Sequence, residues 1–80
     1  MTRKEIEDEA KEYEALRDMY LREMRPLARQ AKVESMVNDP GSAEVLAAIK
    51  TRMAGMQARA DAAQEEAEKL RKQIQDTDRV

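Results

Sequence analysis

The side chains whose types and spacing best suit a binding function are four bases: Arg22, Arg25, Arg29 and Lys32. They recur every three or four residues, so on a helix they form one basic stripe. Such a stripe can bind phosphates or the carboxylates of an acidic protein. Proteins that bind single-stranded nucleic acid usually stack bases on exposed aromatic side chains, and two tyrosines are the only aromatic residues here. The basic stripe is therefore either an ordinary solvated face of the helix or a surface for an acidic partner protein, and it favours such a protein over nucleic acid.

The chain has few residues suited to catalysis. It contains no histidine and no cysteine, which removes the usual general base, the commonest metal ligand and any thiolate nucleophile. Ser35 and Ser42 have no histidine to activate them, and the only glycines, Gly41 and Gly55, form no phosphate-binding loop. We therefore expect a non-enzymatic protein with no catalytic residues, no metal site and no cofactor.

Two runs of mostly apolar residues, one in each half of the chain, alternate spacings of four and three. The first run is Ile6, Ala10, Tyr13, Arg17, Tyr20, Met24, Leu27, Ala31 and Glu34. The second run is Leu46, Ile49, Met53, Met56, Ala60, Ala63, Ala67, Leu70 and Ile74. This spacing is typical of the buried seam of a coiled coil. It predicts a helix over about residues 2–37, a turn over 38–41, a helix over about 40–76, and a frayed tail over 77–80.

Local signals support these boundaries. Thr2, with a glutamate three residues later, has the form of a capping box at the start of a helix. Asp39 is a good N-cap, Pro40 suits the first position of the second helix, and Gly41 is expected to ease the turn. Pro26 removes a hydrogen bond within the first helix. It predicts a kink and not a break, because the apolar run continues beyond it.

Folding the two runs together pairs residue i with residue 80 − i, a register centred on the turn. In this register Tyr13 faces Ala67 and Tyr20 faces Ala60, so large residues pack against small ones. The 80 residues are enough for one domain and for a small core. We expect a single all-α domain, an antiparallel two-helix coiled-coil hairpin with a kinked first helix.

The charges are unevenly distributed along the chain, whose net charge is −2. Residues 1–18 carry seven acids and four bases, residues 61–80 carry six acids and four bases, and residues 19–60 carry four acids and seven bases. A hairpin brings both acidic segments to the same end, which makes the molecule a dipolar rod. No apolar run is long enough to cross a membrane and no signal-peptide pattern is visible, so a soluble, cytoplasmic protein is expected.

Between the two ends of the chain, seven bulky apolar residues fall outside the seam. They are Leu16, Met19, Leu21, Val33, Met36, Val37 and Val45. Two interpretations are compatible: Val37 and Val45 close the hairpin at the turn, and the seven residues form a protein interface. The second predicts a homodimer, a four-helix bundle, that acts as a small adaptor, chaperone or inhibitor of another protein. By analogy, such modules are typical of bacterial secretion accessories and phage-encoded regulators.

The turn region resembles one family of structural proteins. The residues Val37, Asn38, Asp39 and Pro40, followed by an apolar helix, resemble the mid-chain turn of type III secretion needle subunits, which are also short helical hairpins. The resemblance covers some twenty residues and implies a structural subunit that polymerises. This chain is more highly charged than that family.

A second resemblance is to the all-helical chorismate mutases, small dimers whose sites use Arg, Lys, Glu and Gln. Three places carry this resemblance: the segment 27–32, the pair Asp39 and Pro40, and the segment 44–46. Together they resemble the end of that family's first helix and the start of its second. It implies enzymatic roles for Arg29 and Lys32. The Arg-Glu pair that follows the aspartate in that family is absent here.

Overall fold

The protein is an all-helical hairpin. The computed structural model describes residues 2–37 and 39–78, which form two helices, α1 (Arg3–Met36) and α2 (Pro40–Asp78). At about 1.5 Å per residue the helices are about 51 and 58 Å long, while the whole rod measures 62 × 15 × 14 Å. The two helices must therefore lie side by side along their full length, as the sequence predicts. No described helix has a stretch long and apolar enough to cross a membrane.

The start of α1 follows the predicted cap. The backbone N–H of Glu5 donates a hydrogen bond of 3.2 Å to the Thr2 side-chain oxygen, which satisfies one of the free donors of the first turn. The helix then continues through Pro26 without a break to Met36. Val37 is extended, and its N–H donates to the Glu34 carbonyl at 3.2 Å, which closes the helix one residue before the predicted end.

The connection between the helices is shorter than predicted. Asp39 caps α2 as expected, since its side chain accepts a hydrogen bond of 3.2 Å from the Gly41 N–H. Gly41 itself lies in the first turn of α2 without a positive φ, so the prediction that it eases the turn is wrong. The helix can start at Pro40 because proline's fixed φ is already helical. Asn38, the first residue of the predicted turn, lies outside the described residues.

At its other end α2 is longer than predicted. It continues to Asp78, two residues beyond the expected end and into the segment predicted to be a frayed tail. The last residue of the predicted seam is Ile74, and α2 continues for four residues beyond it. Differences of one or two residues at helix ends are common. Residues 79–80 of the predicted tail lie outside the described residues.

The core is a single seam between the helices, built from the two predicted runs. Every residue of both runs is buried or half-buried. The buried apolar residues are Ile6, Ala10, Ile49, Ala60, Ala63, Ala67 and Ile74. Most of them lie in the half of the rod that holds the chain termini, where small alanines let the helices approach closely. In the half nearer the turn, methionines and leucines remain half-buried.

A side-chain contact across the seam agrees with the predicted register. Arg17 is predicted to face Ala63, and its guanidinium donates a hydrogen bond to the side-chain oxygen of Gln64, the next residue. Arg17 is half-buried, so its aliphatic stem fills the space beside alanine while its charged end reaches the surface. A charged residue is therefore accommodated in the seam without an unsatisfied buried group among the described residues.

Candidate protein-binding surface

A two-helix hairpin has two broad faces, one on each side of its seam. We call one the Leu16 face. It comprises Glu12, Leu16, Met19, Glu23, Pro26 and Val33 of α1 and Val45, Ala48, Arg52, Gly55, Arg59, Ala62 and Glu66 of α2. We call the other the Leu21 face. It comprises Glu14, Leu21, Ala28 and Ser35 of α1 and Ala43, Lys50, Gln57, Gln64 and Arg71 of α2. These sets follow from the seven-residue spacing of side chains that share one side of a helix, and from the grooves described below.

The Leu16 face holds an apolar groove of about 230 Å³ near the middle of the rod. Its floor and walls are Tyr13, Leu16 and Tyr20 from α1 and Ala62 and Ala63 from α2, with Arg59 and Glu66 at the rim. A second groove of about 330 Å³ continues toward the turn, lined by Glu23, Pro26, Leu27, Arg52 and Met56. The first groove is therefore apolar with a charged rim, the usual anatomy of a protein interface, whereas charged and apolar side chains line the second in similar measure.

All seven bulky apolar residues outside the seam are exposed, with fractional exposures between 38% for Leu16 and 75% for Met36. Four of them, Leu16, Met19, Val33 and Val45, lie on the Leu16 face. Leu21 lies on the opposite face. Met36 and Val37 lie at the turn, where Val37 lines a groove of about 210 Å³ together with Ser42 and Leu46. These residues are therefore not spread evenly around the rod: four of the seven share the Leu16 face.

The Leu21 face is more polar and is held together by side-chain hydrogen bonds. The Arg71 guanidinium donates to both carboxylate oxygens of Glu14, at 2.5 and 3.4 Å. This hydrogen bond lowers the pKa of Glu14 and raises the pKa of Arg71 from their ordinary values. Gln64, which accepts from Arg17, donates in turn to Glu68 at 2.8 Å. The groove here, about 380 Å³ and lined by these charged and amide groups, is much less apolar than the Leu16 groove.

In the register that pairs residue i with residue 80 − i, Arg71 lies nearer the level of Glu7 than that of Glu14, but the ion pair forms with Glu14, seven residues further along α1. Side chains on a helix lean toward its N-terminus. In an antiparallel pair Arg71 therefore leans toward the turn and Glu14 leans away from it, so the two meet. Glu7 leans away from Arg71 and accepts a hydrogen bond of 3.3 Å from Arg3. Its charge still contributes to raising the Arg71 pKa.

The four residues of the basic stripe are all exposed. Across the described residues, none of the four forms an ion pair or a side-chain hydrogen bond with another side chain. Arg22 and Arg29 lie on the back of α1, away from the seam, and Arg25 and Lys32 turn toward the Leu21 face. The basic stripe thus presents four positive charges that no described side chain neutralises by direct contact.

Gly55 is a feature of the Leu16 face that the sequence analysis missed. A glycine inside a helix costs about 0.5–1 kcal/mol of stability relative to alanine. A Cβ added at Gly55 would meet no atom within 4 Å, so no contact within the hairpin requires a glycine there. Ala48 and Ala62 lie seven residues to either side of it on the same face. The signal in the sequence was this seven-residue repeat of small residues outside the seam.

Comparison of the chain with profiles of protein families, with curated proteins and with solved structures found no match. The resemblances to needle subunits and to helical chorismate mutases therefore gain no support from these comparisons. The functional argument depends on the surface of the hairpin.

Proposed function

We propose that the protein is a non-enzymatic protein–protein interaction module: a homodimer that serves as a small adaptor, chaperone or inhibitor of another protein. One observation carries this proposal. The seven bulky apolar residues outside the seam are exposed, four of them lie on the Leu16 face, and one of the four, Leu16, lines the apolar groove of that face. Scattered apolar residues are normal on a protein surface, whereas a concentrated patch on so thin a rod favours association.

The energetics of the hairpin support the same proposal. The only core is one seam, and much of that seam is alanine or half-buried. Small domains with so little buried apolar surface usually need association to be stable. Complete burial of one leucine or methionine side chain stabilises a complex by about 1.5–3 kcal/mol. Leu16 and Met19 alone would thus add a substantial part of the free energy of a dimer.

The basic stripe supports an acidic protein as the second partner. Its four charges are exposed and are not neutralised by the described residues, so a carboxylate-rich surface would gain charge-assisted hydrogen bonds from them. Because the stripe lies on the back of α1 and beside the Leu21 face, a dimer formed through the Leu16 face would leave it accessible. The kink expected at Pro26 would bend the stripe near its centre and so alter its shape.

Sedimentation equilibrium of the purified chain tests the dimer. The unmodified protein should be dimeric at about 100 µM, and replacing Leu16 and Leu21 together by glutamate should convert it to a helical monomer, because charges cannot be buried unpaired. Ala58→Glu is a control for each single replacement, since it adds one negative charge at mid-rod on the exposed back of α2 and should leave the dimer intact. A helical monomer at this concentration would rule out the dimer.

A further inference from the structure

We infer that the Leu16 face binds a second copy of the chain, with the two rods antiparallel and fully overlapped. The turn end of each rod then lies beside the terminal end of the other. This inference rests on the proposed dimer and specifies its face and orientation. Three observations carry it: the dimensions of the rod, the distribution of its charges, and the positions of the charged and small residues on the Leu16 face.

The dimensions require full overlap of the two rods. The rod is 62 Å long, 15 Å wide and 14 Å thick, so one side of it offers a footprint of at most about 930 Å². A stable interface of standard size buries about 800 Å² on each partner. A complete overlap meets this requirement, whereas two rods that overlap over half their length would bury about half the footprint. An end-to-end arrangement or a half-staggered one is therefore too small.

The charges decide between the two fully overlapped orientations. The terminal end of the rod holds residues 1–18 and 61–80, which together carry thirteen acids and eight bases. The turn half holds residues 19–60, with seven bases and four acids. A parallel dimer places two acidic ends together and two basic halves together. An antiparallel dimer places each acidic end beside a basic half, which electrostatic complementarity favours.

The positions of individual residues fit this arrangement. A two-fold axis at the middle of the rod passes through the layer of Tyr20 and Ala60. Arg52 and Glu12 each lie eight residues from this layer, in opposite directions along the rod, so Arg52 comes level with Glu12 of the second copy. Glu12 precedes Met19 by seven residues and so lies on the same face. Both side chains lean toward the N-termini of their own helices, which here brings their charged ends to the same point.

Gly55 gains a role in the same arrangement. It lies five residues from the two-fold layer and Leu16 lies four, so Gly55 comes within about 1.5 Å, along the rod, of the level of Leu16 in the second copy. Because no contact within the hairpin needs a glycine there, its missing side chain gives space for that leucine. Gly55→Ala should therefore strengthen the isolated helix, which thermal unfolding at low concentration measures, and weaken the dimer.

Charge reversal measured by sedimentation equilibrium tests the face. Arg52→Glu should weaken the dimer about tenfold or more, because each dimer contains the contact twice. Combining it with Glu12→Arg should restore the affinity to within about threefold of the unmodified chain. Lys50→Glu is the matched control: Lys50 is exposed two residues away on the Leu21 face and makes the same change in net charge. It should cause a much smaller loss.

Distances between spin labels test the orientation. The chain has no cysteine, so single cysteines can carry the labels. Labels at Val33 should be offset by about 40 Å along the rod, and labels at Met19 by only about 3 Å, so the Val33 distance should be long and the Met19 distance short. Short distances at both sites would show a parallel dimer and overturn the inference.

Failure of this inference can be told apart from failure of the proposed dimer. A dimer that Lys50→Glu or Leu21→Glu weakens more than Arg52→Glu would overturn the assignment of the Leu16 face while leaving the proposed dimer intact. A lack of recovery in the Arg52→Glu, Glu12→Arg double variant would overturn the register. A chain that is monomeric without any substitution would overturn both.

Discussion

Tyr20→Ala and Ala60→Leu should each lower the stability of the chain, and the double variant should lose less stability than the sum of the two single losses. Ala60 is 1% exposed, so a leucine there has no free space. Overpacking of this kind costs about 1–3 kcal/mol. Tyr20 is half-buried and leaves a partial cavity when truncated, for which we expect a loss of about 1–3 kcal/mol. If the two side chains face each other, the added leucine occupies the space that the tyrosine leaves.

The recovery is measured as a coupling free energy. We expect it to reach about 1 kcal/mol, within the range found for residues in contact. For a domain of this size, 1 kcal/mol corresponds to about 4–8 °C in the thermal midpoint. Urea and thermal unfolding followed by far-ultraviolet circular dichroism give both quantities. All variants must be compared at one protein concentration, because association makes the apparent stability depend on concentration.

Two control variants define the result that would refute this reasoning. Tyr13 lies two helical turns from Tyr20, about 10 Å along the rod, and is expected to face Ala67. Combining Tyr13→Ala with Ala60→Leu should therefore give additive losses. Ala58→Leu, at an exposed position of the same helix, should change stability little. If the Tyr13 combination recovers stability as well as the Tyr20 combination, or if neither does, the pairing of residue i with residue 80 − i is wrong.

Two further predictions concern α1 and the Leu21 face. Pro26→Ala should increase the free energy of unfolding by up to about 3 kcal/mol and so raise the thermal midpoint, because it restores a backbone hydrogen bond in mid-helix. An unchanged or lower midpoint would contradict this. The hydrogen bond from Arg71 lowers the folded-state pKa of Glu14. The stabilisation is therefore present above the ordinary glutamate pKa and is lost as the pH falls through the lower folded value. Arg71→Gln should return the Glu14 pKa toward its ordinary value in an NMR titration, and an unchanged pKa would show that another group lowers it.

The amino-acid sequence determined the two helices, their seam and their leftover surface. The four-and-three spacing places Ile6, Ala10 and their counterparts on one side of each helix whatever the tertiary details, because the helical period is fixed by the backbone. Asp39 and Pro40 have local conformational preferences that stop one helix and start the next. For the same reason the sequence identified all seven bulky apolar residues that are exposed in the described part of the chain.

The tertiary structure alone decided which of these residues act together. Heptad spacing places two acids, Glu7 and Glu14, on the side of α1 that faces Arg71. The register puts Glu7 nearer in level, but Arg71 and Glu14 point toward each other across the antiparallel pair, so the ion pair forms with Glu14. The tertiary structure likewise brings Leu16 and Ala62, which are forty-six residues apart in sequence, into one apolar groove. The sequence alone could not determine which residues of the two helices contact each other. These contacts depend on how far side chains reach between the helices and not on the period within one helix.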